Sequence, residues 1–197
     1  MPRLFACALA ISLTLVALAP AAPVPQHLMK KPPVYYFPTK VGTKLEYEEP
    51  SRKLTMLVTA VSERGGAKIV TVGQVAADES VKPLMTMTVT GTGLYRTERV
   101  GRTLYAPEVW LQLPAERDQS WDYPTGDPTI LPRPTSRQRV IGTESVTVPA
   151  GTFRCIGVNS YYNGHTLTCW YAPDVGLVKT EAATWTEVLK SYTPGKD

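Results

Sequence analysis

The chain has 197 residues and carries 21 lysines and arginines against 17 aspartates and glutamates, a net charge of +4. This length suits a single domain with one sizeable core and argues against a multidomain protein. The opposite charges are interspersed, and the densest basic cluster (Arg133, Arg137 and Arg139) lies beside prolines. A nucleic-acid site would need a basic face with aromatic stacking partners, so we expect no nucleic-acid partner.

The first residues have the pattern of an export signal. Arg3 gives the positive n-region, residues 4–18 form an uncharged apolar run, and residues 19–21 (Ala-Pro-Ala) offer the small residues that signal peptidase accepts. We therefore predict that residues 1–21 are a signal peptide, cleaved after Ala21 or the next alanine. The mature protein would then be secreted or periplasmic.

The same apolar run is too short for a transmembrane anchor. It has about 15 residues, whereas a spanning helix needs roughly 20, and no second run of that length occurs. We expect no integral membrane segment after signal cleavage. Cys7 lies near the start of the apolar run and does not end it, which argues against a lipid anchor at that residue.

Strand patterns dominate the rest of the chain. Residues 22–33 form a proline-rich leader that we expect to be flexible, residues 34–191 a single β domain, and residues 192–197 a tail. Segments rich in Thr, Val, Tyr, Trp and Ile recur between turns, and no helical period persists. The predicted strands are 43–48, 53–62, 67–76, 83–90, 93–99, 102–105, 119–123, 137–147, 152–161, 166–172, 176–181 and 184–191.

Turn residues and prolines divide these strands. Residues 107–114 and 124–134 contain prolines, which remove ladder donors, so we expect connections there and no central strand. Met85, Met87 and Val89 occupy alternate positions, which suits a sheet with one buried face. Turn-forming residues are found at 64–66, 91–93, 100–101, 163–164 and 173–176.

One internal repeat indicates two related halves. Residues 37–47 align without a gap to residues 113–123, and both segments read apolar-Pro, a polar turn, then a short strand ending apolar-acid-Tyr. A meander follows each copy, so the half-repeats would be 35–110 and 111–191. The predicted fold is therefore all-β, a curved antiparallel sheet or half-barrel built from two related β meanders.

Two motifs in the second half have clear folding roles. Pro149 and Gly151 predict a tight reversal, after which Phe153 returns an aromatic ring to the core. Trp170 opens the second motif, in which Pro173 and Gly176 predict another turn before the sheet restarts.

Together these motifs carry a family resemblance. The pattern Val-Pro-Ala-Gly-Thr-Phe (148–153), followed by Trp-Tyr-Ala-Pro-Asp-Val-Gly-Leu-Val-Lys (170–179), resembles bacterial secreted domains of unknown function called TapB-like. Tyr36-Phe37-Pro38 is similar to the opening segment of that family. The resemblance spans residues 35–190 and implies a curved antiparallel sheet in the cell envelope. It implies no catalytic residues.

Two cysteines remain after removal of the signal peptide. In an exported protein, an even pair favours a disulfide between Cys155 and Cys169. A two-residue loop at 163–164 would instead place the two sulfurs on opposite faces of the sheet, whereas a longer loop or a bulge would permit the bond. We expect the disulfide, with two buried thiols as the alternative.

No pattern of catalytic or metal-binding residues stands out. The two histidines are His27, in the leader, and His165, beside a turn, and no Cys or His spacing matches a metal site. The methionines Met56, Met85 and Met87 suit copper chemically but are more typical of a core. Glu46, Asp122 and Glu144 could pair for hydrolysis, yet their spacing does not place any two in one cleft. We expect no enzyme activity, no cofactor and no metal.

Aromatic residues give the one functional indication. Ten tyrosines accompany Trp110, Trp121, Trp170 and Trp185, enough to line an apolar groove. We expect a non-enzymatic envelope protein that binds or carries an apolar ligand or an envelope component. The alternatives are a structural or protein-interaction module of the envelope, and a hydrolase with carboxylate chemistry.

Export yields the first testable prediction. Amino-terminal sequencing of protein purified from its natural host should begin at residue 22 or 23, because signal peptidase cuts after small residues. A sequence beginning at Met1 or Pro2 would contradict the prediction.

Overall fold

The computed structural model describes residues 33–50, 52–126, 129 and 134–196. The predicted signal peptide and almost all of the predicted leader lie outside these residues. The described residues contain no helix long and apolar enough to span a membrane. Twelve strands are present: β1 (Lys44–Glu48), β2 (Lys53–Arg64), β3 (Ala67–Val75), β4 (Val81–Thr90), β5 (Gly93–Arg99), β6 (Arg102–Gln112), β7 (Ser120–Pro124), β8 (Thr135–Val148), β9 (Gly151–Tyr162), β10 (His165–Ala172), β11 (Gly176–Glu181) and β12 (Thr186–Thr193).

All twelve strands form one antiparallel sheet, which confirms the predicted all-β fold. The order is β6-β5-β4-β3-β2-β1-β12-β11-β10-β9-β8-β7, so two six-stranded meanders meet where β1 pairs with β12. The sheet curls until its edge strands, β6 and β7, approach each other. There the indole Nε1–H of Trp121 donates a hydrogen bond of 2.9 Å to the carbonyl oxygen of Val109. The sheet is therefore nearly closed, with a side chain bridging the remaining seam.

The two meanders begin with the same backbone arrangement. The N–H of Gly42 donates to the carbonyl oxygen of Val58 at 2.8 Å, and the N–H of Asp118 donates to that of Val140 at 2.9 Å. Gly42 and Asp118 occupy matching places in the sequence repeat, and both have positive φ, 82° and 69°. Directly after each valine a β-bulge shifts the pairing with the next strand, of β2 with β3 in the first meander and of β8 with β9 in the second. These matching geometries support the relation between the halves.

A second sequence repeat lies deeper in the meanders. Gly-Leu-Tyr-Arg-Thr-Glu (93–98) forms most of β5, and Gly-Leu-Val-Lys-Thr-Glu (176–181) forms β11. Each of these strands is the fifth of its own meander. Both repeats therefore match strands β1 to β6 with strands β7 to β12 in order. By the same correspondence, the pairing of β1 with β12 matches the seam between β7 and β6.

The concave face of the sheet holds the core. Met85, Met87 and Val89 are all buried, as their alternation predicts. Burial of such apolar surface is the main stabilising term of this sheet. The largest fully buried side chains come from both meanders and are Leu45, Met87, Leu94, Leu111, Leu189, Val58, Val70, Val72, Val89, Val140, Val158 and Val178.

Two-residue turns fix the register of three hairpins. The central pairs are Gly65 with Gly66, Val100 with Gly101, and Asn163 with Gly164, and all six residues have positive φ. Positive φ at both central positions matches the right-handed twist of the flanking strands. Three of the predicted turns are therefore confirmed as tight hairpin turns.

Two predicted boundaries were wrong. The sixth strand was expected to end before Pro107, but β6 continues to Gln112. Because β6 is an edge strand, the missing N–H of Pro107 costs the sheet little. At the other end of the chain, β12 extends to Thr193 in the predicted tail, because Tyr192 pairs with Leu45 of β1.

The expected disulfide is not formed in the structure, where Cys155 and Cys169 are both free. Tyr162 pairs with His165 across the two-residue turn, and in this register Cys169 pairs with Val158. Cys155 lies three positions before that partner, an odd offset, so the two cysteines point to opposite faces of the sheet. The simple hairpin register therefore prevails over the preference of the exported compartment.

Thiol chemistry tests this register. Burial raises the pKa of each thiol to about 11, so both should react slowly with an alkylating reagent in the folded protein. After unfolding without reductant, peptide mass spectrometry should find Cys155 and Cys169 both alkylated. A peptide pair linked by a disulfide between them would contradict the structure.

Candidate functional site

One end of the curled sheet is closed by the segment before β1. In an antiparallel meander the connections alternate between the two ends, and this segment crosses the end that holds the turn between β10 and β11. The carbonyl oxygen of Tyr35 accepts a hydrogen bond of 2.7 Å from the N–H of Asp174. The Phe37 ring is buried and packs against Gly176, where an added Cβ would lie 3.3 Å from the ring. Gly176 thus permits the close approach that seats Phe37.

The two sequence motifs of the second half, residues 148–153 and 170–179, lie at the same end of the sheet. Pro173 and Gly176 flank the turn that receives the segment before β1, as predicted from the second motif. At the tip of the β8–β9 hairpin, between Pro149 and Gly151, the N–H of Ala150 donates to the carbonyl oxygen of Leu189 at 3.2 Å. Phe153 is half-buried against the core. These motif residues therefore have structural roles and do not converge on a chemical site.

The interior holds two adjoining cavities. The first, here called the apolar cavity, measures about 290 Å³, and the second, the polar cavity, about 250 Å³. The apolar cavity is lined mainly by side chains of the first meander, among them Leu45, Leu54, Met56, Leu84 and Met85. The lining residues common to both cavities are Arg52, Arg96, Trp110, Leu177 and Glu187.

Arg96 lies at the boundary between the cavities. Its Nε–H donates to the Glu108 carboxylate at 2.8 Å, and its guanidinium carbon lies 5.0 Å from the centre of the Trp110 ring. The side chains of Arg96 and Glu108 are only 18% and 13% exposed, so each charge is satisfied mainly by the other. Across the interior, the Trp110 and Tyr171 rings are 6.5 Å apart. The boundary between the cavities thus consists of an ion pair and an aromatic contact between the two meanders.

A carboxylate pair lies near the mouth of the cavities. The Arg52 guanidinium contacts Glu49 at 2.9 Å and lies 4.0 Å from Glu187. The pKa of Glu187 is raised to about 7, mainly by burial and then by the adjacent Glu49 carboxylate, while Arg52 opposes the shift. Glu187 therefore gains or loses a proton near neutral pH.

The polar cavity has an uncharged hydrogen-bonding wall. The amide nitrogen of Gln138 donates to the hydroxyl oxygens of Ser160 at 2.9 Å and Ser136 at 3.0 Å. The hydroxyl of Tyr123 lies 3.5 Å from the same nitrogen, and Thr180 adds a further buried hydroxyl to the lining. This wall belongs entirely to the second meander and faces Arg96 and Trp110 of the first.

The three carboxylates considered for hydrolysis do not meet. Glu46 accepts a hydrogen bond of 2.7 Å from Ser191, and Asp122 forms a two-bond pair with Arg137 at 2.8 and 2.9 Å. Glu144 accepts a bond of 2.7 Å from the indole of Trp170. Each of the three lies on a different strand with its own partner, and none lines either cavity.

The tryptophans have different environments. Trp110 lines both cavities and Trp185 lines the polar one, whereas Trp121 bridges the seam. Trp170 lies on the opposite face to Cys169, with the Lys179 ammonium 4.8 Å from its ring centre. The methionines Met56, Met85 and Met87 are core residues, and His165 is exposed at a hairpin end.

Sequence reasoning missed the charged and amide residues of the interior. Arg96 follows the buried Leu94 by two positions, so the alternation of the strand would have placed it inward. Gln138 precedes the buried Val140 by the same spacing. Charged and amide residues at inward strand positions can thus be recognised from the sequence. Which strands face each other across the interior cannot, because that depends on pairing between distant residues.

Comparisons with known proteins agree with this fold. A family model described as DUF3108-like matches residues 133–194, the region of β8 to β12. The chain is similar to a crystal structure from Bacteroides fragilis assigned as an exported protein with a YmcC-like fold, at 15% identity and a TM-score of 0.55, covering 81% of this chain and 99% of that one. It is also similar to a crystal structure from Parabacteroides distasonis assigned as a lipoprotein, at 16% identity and a TM-score of 0.53, covering 83% and 100%.

A search of curated proteins gave no match. The structural matches establish the shared fold, and the family match establishes similarity to a bacterial domain of unknown function over the second meander. The predicted resemblance is confirmed at this level. The more specific TapB-like assignment stays a prediction.

The carboxylate pair generates a stability prediction. The folded-state pKa of Glu187, about 7, is raised from 4.5, so its protonated form is favoured by folding. That contribution is present below about pH 4.5 and is lost as the pH rises through about 7. The free energy of unfolding from urea titrations should therefore decline over this window, and Glu187→Gln should flatten the decline.

A matched control is Glu63→Gln, which changes a carboxylate on an exposed strand end. This variant should keep the wild-type pH profile over the same window. Equal profiles for wild type and Glu187→Gln would show that Glu187 does not titrate there.

Proposed function

We propose that this chain is an exported, non-enzymatic envelope protein that binds an apolar ligand in the apolar cavity. The observation that carries the proposal is the unfilled space of about 290 Å³ inside a nearly closed sheet. The space opens to solvent beside Arg52 and Val100, so a small molecule can enter it without unfolding of the sheet. Volumes near 300 Å³ are at the lower end of small-molecule sites.

The form of the cavity suits a ligand that enters from one end. Phe37 and Val175 line it at the end closed by the segment before β1. Arg52, Gln74 and Arg99 line it at the opposite end, where the connections between β1 and β2, β3 and β4, and β5 and β6 lie. An elongated apolar ligand would therefore lie along the interior with its tail towards Phe37.

The location in the envelope rests on independent support. The amino-terminal segment has the pattern of a cleaved export signal. The two similar crystal structures are assigned as an exported protein and as a lipoprotein. The TapB-like motifs agree with the same compartment. In this chain Cys7 lies near the start of the apolar run and does not end it, so we propose export without a lipid on that cysteine.

Binding without catalysis fits the chemistry of the interior. The Arg96 and Glu108 charges are committed to each other, and Arg52 is held by Glu49. A hydrolytic pair of carboxylates would need to flank one bond, whereas Glu46, Asp122 and Glu144 have separate partners. These contacts favour a binding role over the hydrolase alternative.

Dye binding tests the proposal. The uncharged dye N-phenyl-1-naphthylamine, whose fluorescence rises in apolar surroundings, should bind the wild-type protein with saturation. Met56→Trp should weaken binding about tenfold or more, the factor that 1.4 kcal/mol represents, because the larger side chain fills the apolar cavity.

The control is Thr55→Trp, which changes the neighbouring residue on the opposite face of β2. It should bind the dye as the wild type does. Urea unfolding checks that both variants are folded, because overpacking costs about 1–3 kcal/mol. Absence of saturable dye binding, or equal binding by folded Met56→Trp, would refute the proposal.

A further inference from the structure

We infer that the ligand carries an uncharged hydrogen-bonding head, a hydroxyl or an amide, which binds in the polar cavity against Gln138. This inference rests on the proposed function, because it assigns the tail of the same ligand to the apolar cavity. It adds the chemical class of the head and the residue that recognises it.

The two cavities are continuous, so a ligand that occupies both would have one end in each. Arg96, Trp110 and Leu177 line both spaces, so a single molecule can extend from one into the other. Apolar side chains of the first meander line much of one space, and the hydroxyls and the amide of the second meander form one wall of the other, beside charged and aromatic side chains. An amphiphile fits this division, whereas a pure hydrocarbon would leave the polar wall unused.

The charges of the interior argue against a charged head. Arg96 is paired with Glu108, and Arg52 is paired with Glu49, so neither cation is free for an anionic group. An anionic head would have to leave water without a free counter-ion, which is unfavourable in a buried site, and below about pH 7 the protonated Glu187 gives a cationic head no full counter-charge either. Arg99 is exposed at the rim, where solvent already satisfies it.

Gln138 supplies the recognition group. It is only 4% exposed and lines the polar cavity. Its amide nitrogen is committed to Ser136 and Ser160, and its oxygen accepts no hydrogen bond from another described residue. No buried side-chain oxygen among the described residues lacks a hydrogen bond, so this oxygen is reached from the cavity, where a hydroxyl or amide N–H of the ligand can donate to it.

Head-group selectivity of the wild-type protein is the principal test. Decanol, decanoate and decylammonium share one tail length and differ in head charge. Each is titrated, below the concentration at which it forms micelles, against the protein loaded with N-phenyl-1-naphthylamine at pH 6, where Glu187 is mainly protonated. Decanol should displace the dye at a concentration about tenfold lower than either charged amphiphile.

Variants of Gln138 then identify the recognition group. Gln138→Met removes the amide and should reduce the affinity for decanol about tenfold, with each decanol affinity corrected for the affinity of that variant for the dye. Gln138→Glu keeps acceptor oxygens but adds a negative charge, so it should shift the preference from decanol to decylammonium. Gln112→Glu is the control, because Gln112 lines neither cavity and should keep wild-type selectivity.

The outcomes separate the two proposals. If neither the dye nor any amphiphile binds, the proposed function fails. If the dye binds but decanoate or decylammonium displaces it better than decanol, the proposed function stands and the uncharged head is overturned. If decanol is preferred but folded Gln138→Met keeps full affinity for it, the assignment to Gln138 is overturned.

Discussion

The pairing of the first strand with the last is the interaction on which the rest of this structure depends. Leu45 pairs with Tyr192 and Tyr47 with Leu189, and these contacts join two meanders that are otherwise each complete in sequence order. The Tyr47 hydroxyl then donates a hydrogen bond of 2.8 Å to the carbonyl oxygen of Leu177, which ties the junction to β11. Without this pairing the two meanders would be separate sheets, and the interior that they share would not exist. The loop closed by the pairing includes almost the whole domain, so its entropy cost must be repaid by the common core.

The two halves of the molecule are alike in strand order but differ at their two junctions. One junction is a hydrogen-bonded ladder between β1 and β12, and the corresponding place between β7 and β6 is bridged by the Trp121 indole. A side-chain bridge holds the edges near each other without fixing a continuous ladder. An open edge strand presents unpaired N–H and carbonyl groups to other chains, and the near closure brings the two edges of this sheet together. The interior behind them still holds two cavities.

Charged side chains in the interior are paired with each other, and this pairing limits which ligands the interior can bind. Arg96 and Glu108 neutralise each other at the boundary between the cavities, where Trp110 also covers the guanidinium. The raised pKa of Glu187 reflects the same constraint, because a second carboxylate beside Glu49 is disfavoured away from water. A site built in this way offers apolar surface and neutral hydrogen-bonding groups. These surfaces are the basis on which we propose a lipid-like ligand.

The sequence by itself determined the local features of this protein. Strand and turn residues predicted twelve strands near their observed positions, and the alternation of Met85, Met87 and Val89 identified a buried face, because these signals depend on neighbouring residues alone. The repeated segments indicated two meanders. Only the tertiary structure decided that β1 pairs with β12, that Cys155 and Cys169 point to opposite faces, and that Arg96 and Gln138 face one interior. Those facts depend on pairing register and on contacts between residues distant in sequence. A shift of one residue in a strand exchanges its inward and outward side chains, and composition does not record that shift.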